Sequence, residues 1–326
     1  MCGIGGIFKL SPFEDRGEIL DMSIKMLREL EDRGKDATGV AVINTFNDSF
    51  KIFKKNKHAS EFIKLKEFQK LFLNNKYNIV LLHTRAKTQG SADNPKNNHP
   101  IFSKRFNNLV IHNGVINNDD DLKKKHGIKP DGEVDSEIIL QMFNLFKQNK
   151  IEKAIKNISG SMAFALYDKQ TLYLYKNTQP IFLAYSPSND LFLFSSTKTA
   201  IKSSISEIIS YYNNLFLKLQ TKEKYRDFLL REIESNTLIQ FKFEDKIKTS
   251  VSEIESKQKL YDWSNWYDYN SSSVNEYQQY AFEACLNCKY YIYSPKKCKK
   301  CKFKKQASIL KRFNIENEAE FRRIFE

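Results

Sequence analysis

The chain has 326 residues, a formal net charge of +14 and a hydrophobic fraction of 41%, with 13% aromatic residues. This is enough apolar material for a folded core, and it excludes disordered, collagenous and coiled-coil proteins. The length favours one large domain with a smaller appendage. No apolar run reaches the roughly 20 residues of a membrane helix, and no signal-like stretch follows Met1, so we expect a soluble cytoplasmic protein.

Short β-rich runs and helical patterns occupy the first 245 residues. Strands and helices come in clusters, which favours an α+β fold with stacked antiparallel sheets over a regular βαβ alternation. Gly34 stands where a C-cap glycine would end the first helix. The predicted strands are 2–8, 39–44, 78–84, 108–112, 162–167, 172–175 and 191–194, and the predicted helices are 19–30, 61–72, 136–146 and 197–205.

The composition of the sequence changes after about residue 245, where a short serine-rich segment is followed by four cysteines and many lysines. We therefore predict a main domain at 2–245, a linker at 246–284 and a small module at 285–326.

Cys2 is a candidate nucleophile. If Met1 is removed, one residue holds both a thiol with a pKa of about 8.5 and a free α-amine with a pKa near 8. The amine can then take the thiol proton, directly or through a water molecule. The alternative is that Cys2 is a small buried strand residue with no chemical role.

Five further motifs follow Cys2 in a fixed order, and each of them is weak alone. Behind an N-terminal Cys-Gly-Ile, their order makes the chain resemble the class II glutamine amidotransferase domain of the N-terminal-nucleophile hydrolases. The resemblance covers residues 2 to about 245 and implies a four-layer αββα sandwich. The motifs are 33–39 (RGKDATG), 83–85 (HTR), 97–100 (NNHP), 112–114 (HNG) and 133–137 (EVDSE), followed by 160–168 and 194–197.

The resemblance also implies the residues that perform the reaction. Attack of Cys2 on a glutamine amide forms an oxyanion, for which the family uses the Asn side chain and the Gly backbone N–H of a His-Asn-Gly turn, here Asn113 and Gly114. Arg85 would bind the carboxylate of glutamine and Asp135 its ammonium group. Alternatively, Arg85 forms a structural salt bridge and Asp135 caps a helix.

The segment after Arg85 corresponds to the glutamine loop of the family. Thr84 and Thr88 fall where this loop begins and are counted among the substrate-binding residues. Ala86 and Gln89 stand where many members have an aromatic residue and a histidine, so the covering of the site stays open.

The histidines of the motifs need not act as the base in this mechanism. We therefore expect hydrogen-bonded structural roles for His83, His99 and His112.

The four distal cysteines, Cys285, Cys288, Cys298 and Cys301, have the paired spacing of a zinc site. Four thiolates around Zn²⁺ leave no open position, so we expect a structural zinc ion. An iron–sulfur cluster or two disulfides are the alternatives. The lysines around these cysteines either bind nucleic acid or offset the negative charge of the metal centre.

No acceptor domain is visible in the sequence. The leading hypothesis is a glutamine amidotransferase subunit that hydrolyses glutamine and supplies ammonia to a separate synthase, with a nucleobase or nucleic-acid precursor suggested as acceptor by the basic module alone. A γ-glutamyl amide hydrolase is the second hypothesis. The third is a non-catalytic nucleic-acid-binding or scaffold subunit.

Overall fold

The computed structural model describes residues 1–146, 151–210, 217–221, 228–254, 283–284 and 291–292. The cysteines predicted to bind zinc, and almost all of the predicted module at 285–326, lie outside these residues. None of the helices in the described ranges combines the length and the apolar character that crossing a membrane requires.

Strands hold more of the described residues than helices do, and each predicted strand is present. The strands that the sequence did not reveal are mainly short or partly exposed, such as β3 and β15. In chain order they are β1 (Gly3–Phe8), β2 (Ala37–Asn44), β3 (Ser49–Lys55), β4 (Ile79–Arg85), β5 (Ile101–Ser103), β6 (Asn108–Ile116), β7 (Gly160–Asp168), β8 (Thr171–Lys176), β9 (Phe182–Ser186), β10 (Leu191–Ser195), β11 (Ser206–Ser210), β12 (Leu217–Thr221), β13 (Leu229–Glu232), β14 (Thr237–Phe243), β15 (Ile247–Glu253), β16 (Glu283–Ala284) and β17 (Tyr291–Ile292).

The helices flank these strands. The predicted helix at 61–72 is two helices, because the backbone of Leu65 is extended and a new helix begins after it. The described helices are α1 (Arg16–Leu30), α2 (Ala59–Phe62), α3 (Lys66–Leu73), α4 (Asp119–His126), α5 (Glu137–Leu145), α6 (Ile151–Asn157) and α7 (Lys198–Ser204).

Two large antiparallel sheets organise the fold. One has seven strands in the order β13-β9-β10-β1-β4-β2-β3, and the other has six in the order β15-β14-β8-β7-β6-β5. The expectation of an α+β fold with two stacked antiparallel sheets is confirmed. In the seven-stranded sheet β1 lies in the interior between β10 and β4, so the residue before β1 is held next to the end of β4.

Within the described part of the chain, three apolar cores separate the layers. Met22 and Leu27 of α1 pack with Val80 of β4 on the outer face of the seven-stranded sheet. Phe8 and Phe241 pack between the two sheets, with ring centroids 4.8 Å apart. Further residues of α5 and α6 cover the outer face of the six-stranded sheet. Side chains on alternate faces of a strand thus belong to different cores, as the period of two requires.

The six-stranded sheet continues beyond residue 245, into the range predicted as a linker. β15 pairs with β14 along its whole length, with Ile247 opposite Phe243 and Glu253 opposite Thr237. Directly after β15, the Ile254 carbonyl accepts from the Tyr175 hydroxyl at 3.2 Å. Because β15 is an edge strand with alternating exposed positions, its sequence has the polar composition of a linker.

Candidate active site

The candidate nucleophile lies directly before β1, next to the end of β4. The pairing of Gly3 with Thr84 brings Cys2 to the end of β4, where its Sγ lies 3.5 Å from the Ala86 carbonyl oxygen. The Arg33 Nε donates to the Cys2 carbonyl at 3.0 Å. The backbone of Cys2 is therefore held from one side and its thiol faces the first residues of the loop after β4.

The electrostatic surroundings of the thiol are mixed. Burial raises the pKa of the Cys2 thiol, and the positive charges of the N-terminal amine and of Arg85 oppose this rise, while the Asp135 carboxylate adds to it. A thiol with a raised pKa is protonated at neutral pH, so it needs a base before it can attack. Arg85 and Asp135 are thus close enough to Cys2 for their charges to act on its thiol.

The sequence predicted Gly34 as the C-cap glycine of the first helix. Gly34 does not end an α-helix in a left-handed conformation. It follows a single turn of 3-10 helix (Glu31–Arg33), and its backbone is extended. A Cβ atom at Gly34 would lie 2.4 Å from the Arg85 carbonyl carbon. Glycine is needed at this position because the backbone of Arg85 and Ala86 packs directly on it.

Arg85 is buried, and its guanidinium group holds the loop that follows it. Its Nη1 donates to the Asn98 Oδ1 at 2.7 Å and to the Ser91 carbonyl at 3.4 Å. Its Nη2 donates to the carbonyls of Gly90, at 2.9 Å, and of Gln89. These acceptors are amide oxygens and not carboxylates, so the arrangement differs from the structural salt bridge considered above.

The two threonines predicted to bind substrate lie in different surroundings. Thr84 is fully buried, and its hydroxyl donates to the Leu30 carbonyl of α1 at 2.7 Å. Thr88 is exposed in the loop after β4, together with Gln89. The Thr84 hydroxyl therefore fixes α1 against β4, while the side chain of Thr88 stays open to solvent.

The His-Asn-Gly motif is not a turn, because all three residues lie inside β6 and pair with β7. Their partners are Phe164, Ala163 and Met162. Gly114 has a φ of +144°, and a Cβ atom there would lie 1.8 Å from the Ser161 carbonyl oxygen. The motif therefore keeps the ladder intact, and glycine lets β7 approach it closely.

A hydrogen bond between His83 and the His112 carbonyl, at 3.0 Å, joins β4 to β6. It connects the His-Thr-Arg motif to the His-Asn-Gly motif across the two sheets. Arg85 lies two residues after His83 in the sequence, and Asn113 directly follows His112. Two motifs 29 residues apart are thus brought to one place by a buried histidine.

Asp135 lies before α5 and does not cap it. Ser136 is the N-cap residue of α5, and the Asp135 Oδ2 accepts from the Ile116 backbone N–H at 2.7 Å. The Ser136 hydroxyl donates to the other carboxylate oxygen at 3.2 Å and lies 2.8 Å from the His112 Nδ1. The carboxylate is therefore oriented by β6, next to the His-Asn-Gly motif.

The buried histidines are held by different contacts. Burial lowers the pKa of His83 to about 3 and that of His99 well below its ordinary value. The two rings stack with centroids 4.1 Å apart. His83 and His112 form the hydrogen bonds expected of structural histidines, whereas neither ring nitrogen of His99 has a hydrogen-bond partner among the described residues.

Lys54 and Gln179 contact residues of the site but belong to none of the motifs. The ammonium of Lys54, on β3, donates to the carbonyls of Asn98 at 2.6 Å and Pro100 at 2.9 Å, and burial lowers the pKa of Lys54 to about 8. The Gln179 Oε1 accepts from the Asn113 Nδ2 at 3.3 Å. No sequence signal marks Lys54 among its neighbouring lysines, and Gln179 is marked only by the proline that follows it.

No metal centre can be assigned within the part of the chain that the structure describes. There, no three His, Cys, Asp or Glu side chains come together in a way that could hold a metal ion. The zinc site predicted from the four distal cysteines lies elsewhere in the chain and stays a prediction.

Comparison with known proteins shows which families the chain is similar to. Residues 83–203 match the family model described as a glutamine amidotransferase domain. Glutamine–fructose-6-phosphate aminotransferase (isomerizing) of Staphylococcus epidermidis is 32% identical over 192 residues, which are 56% of this chain and 30% of that protein. The corresponding Staphylococcus aureus protein is 31% identical over 194 residues. The chain thus spans about a third of the length of these curated relatives.

A solved structure of glutamine phosphoribosylpyrophosphate amidotransferase from B. subtilis is also similar, with a TM-score of 0.56 and 16% identity. The match covers 76% of this chain and 49% of that one. At this level of identity the likeness extends to the fold alone.

Proposed function

We propose that this chain, which carries a glutamine amidotransferase domain, hydrolyses the side-chain amide of glutamine with Cys2 as the nucleophile and supplies the ammonia to a separate synthase. The observation that carries the proposal is that Arg85 and Asp135 lie close enough to Cys2 for their charges to act on its thiol, while Asp135 accepts from the backbone of Ile116, two residues after the Asn113–Gly114 pair. Apart from Ile116, these residues come from four motifs that are far apart in the sequence.

The first step needs a base, because burial raises the pKa of the thiol. Removal of Met1 would leave the α-amine of Cys2 free, and an α-amine has a pKa near 8. This amine takes the thiol proton, and the Sγ atom attacks the Cδ atom of glutamine. The carbonyl π electrons move onto the oxygen and form a tetrahedral oxyanion.

The oxyanion is stabilised by N–H donors at β6. In the proposal these are the Asn113 Nδ2 and the Gly114 backbone N–H, and each such donor commonly contributes about 3 kcal/mol to lowering the barrier. The C–N bond then breaks, the protonated α-amine returns its proton to the leaving nitrogen, and ammonia departs. Water hydrolyses the remaining thioester to glutamate and regenerates the thiol.

The amino-acid end of glutamine would bind between Arg85 and Asp135. The Arg85 guanidinium already donates to the loop, and its contact with the Ser91 carbonyl is the longest of the four, at 3.4 Å. In the proposal the glutamine carboxylate takes the place of the Ser91 carbonyl, and the Arg85 guanidinium keeps its other three hydrogen bonds. The Asp135 carboxylate receives the ammonium group, and Thr88 lies in the loop that closes over the substrate.

The proposal also includes the acceptor of the ammonia. The curated relatives named above are aminotransferases, so a synthase is proposed as the recipient of the ammonia. A nucleobase or nucleic-acid precursor is suggested only by the lysines around the distal cysteines. A structural zinc ion on Cys285, Cys288, Cys298 and Cys301 belongs to the same part of the proposal, and metal analysis of the purified chain tests it.

A γ-glutamyl amide hydrolase is the second candidate, and Ala86 favours it. The residue next to the Cys2 thiol carries only a methyl group, and Gln89 is exposed, so little side-chain volume covers the nucleophile from the loop. A substrate with a larger group on the amide nitrogen would fit such a site. Comparison of glutamine with γ-glutamyl-alkylamides separates the two candidates.

The decisive experiment combines intact-mass measurement with a glutaminase assay. We expect the purified chain to lack Met1, to release glutamate and ammonia from glutamine, and to lose this activity on Cys2→Ala while keeping its thermal unfolding midpoint. A retained Met1 in an active protein would contradict the role of the α-amine. An unchanged rate in Cys2→Ala would contradict the role of the thiol.

A further inference from the structure

The side-chain amide of Asn113 is the part of the site whose orientation matters most. Its nitrogen is a donor and its oxygen an acceptor, and the two ends have nearly the same shape. An oxyanion is stabilised by the nitrogen and destabilised by the oxygen. Asn113 is fully buried, and its Oδ1 has no hydrogen-bond partner among the described residues. Nothing on the oxygen side of the amide therefore prevents a flip.

Among the residues that the structure describes, the nitrogen side of the amide has one partner, Gln179. The Asn113 Nδ2 donates to the Gln179 Oε1 at 3.3 Å. If the Asn113 amide flipped, two oxygen atoms would face each other at this position. The contact with Gln179 thus selects one of the two orientations and leaves the second N–H of the same nitrogen free.

Gln179 could select an orientation only if its own amide were fixed. Its Nε2 donates to the Ser161 Oγ at 2.7 Å, which sets the Gln179 Oε1 toward Asn113. The Ser161 hydroxyl also lies 2.7 Å from the Thr178 Oγ1. Pro180 follows Gln179 and restricts its backbone to the extended region.

The turn that carries Gln179 is itself anchored to β7. The buried Asn177 side chain accepts from the Met162 backbone N–H at 2.7 Å and donates to the Gly160 carbonyl at 2.7 Å. The Asn177 backbone N–H donates to the Met162 carbonyl at 2.9 Å. In the same strand, the Ser161 carbonyl oxygen packs directly against Gly114 and occupies the space that a Cβ atom would need. The start of β7 therefore positions both members of the proposed oxyanion pair.

We propose that Gln179 is a positioning residue that fixes the amide of Asn113 with its nitrogen toward the oxyanion. The inference rests on the proposed function, since it assigns Gln179 a part in the same reaction. Gln179 acts through Asn113 and need not touch the substrate. Because the oxyanion exists only in the transition state, losing Gln179 should lower kcat and leave KM nearly unchanged.

The test is a double-mutant cycle on glutamine hydrolysis. Gln179→Met keeps the length of the side chain and removes the acceptor, and we expect kcat to fall by a factor of about 10 to 100, bounded by the loss of a whole oxyanion donor. KM should stay within about twofold. In an Asn113→Ala background the same substitution should change kcat by less than about twofold, because the residue it positions is gone.

Two further variants separate positioning from folding. Ser161→Ala removes the anchor of Gln179 and should lower kcat in the same direction by a smaller factor. Gln69→Met makes the matched substitution at an exposed position of α3 and should leave kcat and KM unchanged. Thermal unfolding midpoints of all variants are measured alongside the kinetics.

The outcomes distinguish this inference from the function on which it rests. If the wild-type chain hydrolyses no glutamine, the proposed function and this inference fall together. If the wild type is active and Gln179→Met keeps its kcat, only the inference is overturned. It is also overturned if Gln179→Met lowers kcat equally with and without Asn113, since its effect would then not pass through that amide.

Discussion

The stacked pair His83 and His99 should make the domain sensitive to acid. Both side chains are buried, and burial depresses the pKa of His83 to about 3 and that of His99 well below its usual range. In the unfolded chain each imidazole has a pKa of about 6.5. Between about pH 6.5 and pH 3 the unfolded chain therefore binds more protons than the folded chain. The free energy of unfolding must fall as the pH falls through this window.

The size of the effect follows from the same difference. Each pH unit below 6.5 costs about 1.4 kcal/mol for every histidine that stays neutral in the folded state. At pH 5 this amounts to about 2 kcal/mol for His83 and about the same for His99. Lys54 and Arg85 add positive charge near both rings and make their protonation still less favourable.

Urea denaturation at pH 7 and pH 5 measures this loss. His99→Phe retains an aromatic ring for stacking and cannot take a proton, so the difference between the two pH values should shrink by about 2 kcal/mol. The matched variant His58→Phe changes an exposed histidine and should retain the full difference. Carboxylates contribute equally in all three chains. If His99→Phe and the wild type lose the same stability at pH 5, the reasoning from burial is refuted.

Three other predictions concern the site itself. Lys54→Met should raise KM for glutamine severalfold with little change in kcat, because Lys54 supports the segment that holds Arg85, the residue proposed to bind the substrate. Lys55→Met on the same strand should change neither. A fall in kcat alone would contradict this. Gly114→Ala meets a backbone oxygen at 1.8 Å and should destabilise the fold by more than about 2 kcal/mol in urea, whereas Gly127→Ala, in open space at a φ of +62°, should cost only about 1 kcal/mol. While the first methionine is retained, the rate at which iodoacetamide alkylates Cys2 should reach half of its maximum only at a pH above the ordinary thiol pKa, because burial raises the pKa of this thiol. A rate that already reaches its plateau below pH 8 would contradict this effect of burial.

Buried apolar runs made the central strands readable from the sequence. β1, β4, β7 and β10 consist largely of buried residues. β15 was not readable, because an edge strand exposes alternate side chains and resembles a linker in composition.

The motif order was likewise enough to select Cys2, Arg85, Asn113 and Asp135 as candidates for one site. Their roles stay proposals, but the sequence alone named them.

Only the tertiary structure decided what the polar side chains of the site contact. The Thr84 hydroxyl goes to the Leu30 carbonyl, 54 residues away, and the Arg85 guanidinium goes to its own loop. Gln179 reaches Asn113 across 66 residues. Hydrophobic periodicity indicates which face of a strand is buried, because successive side chains along the chain point to opposite faces. A hydrogen bond between distant strands depends on how the two sheets are stacked and in which register, and no local pattern encodes that distance.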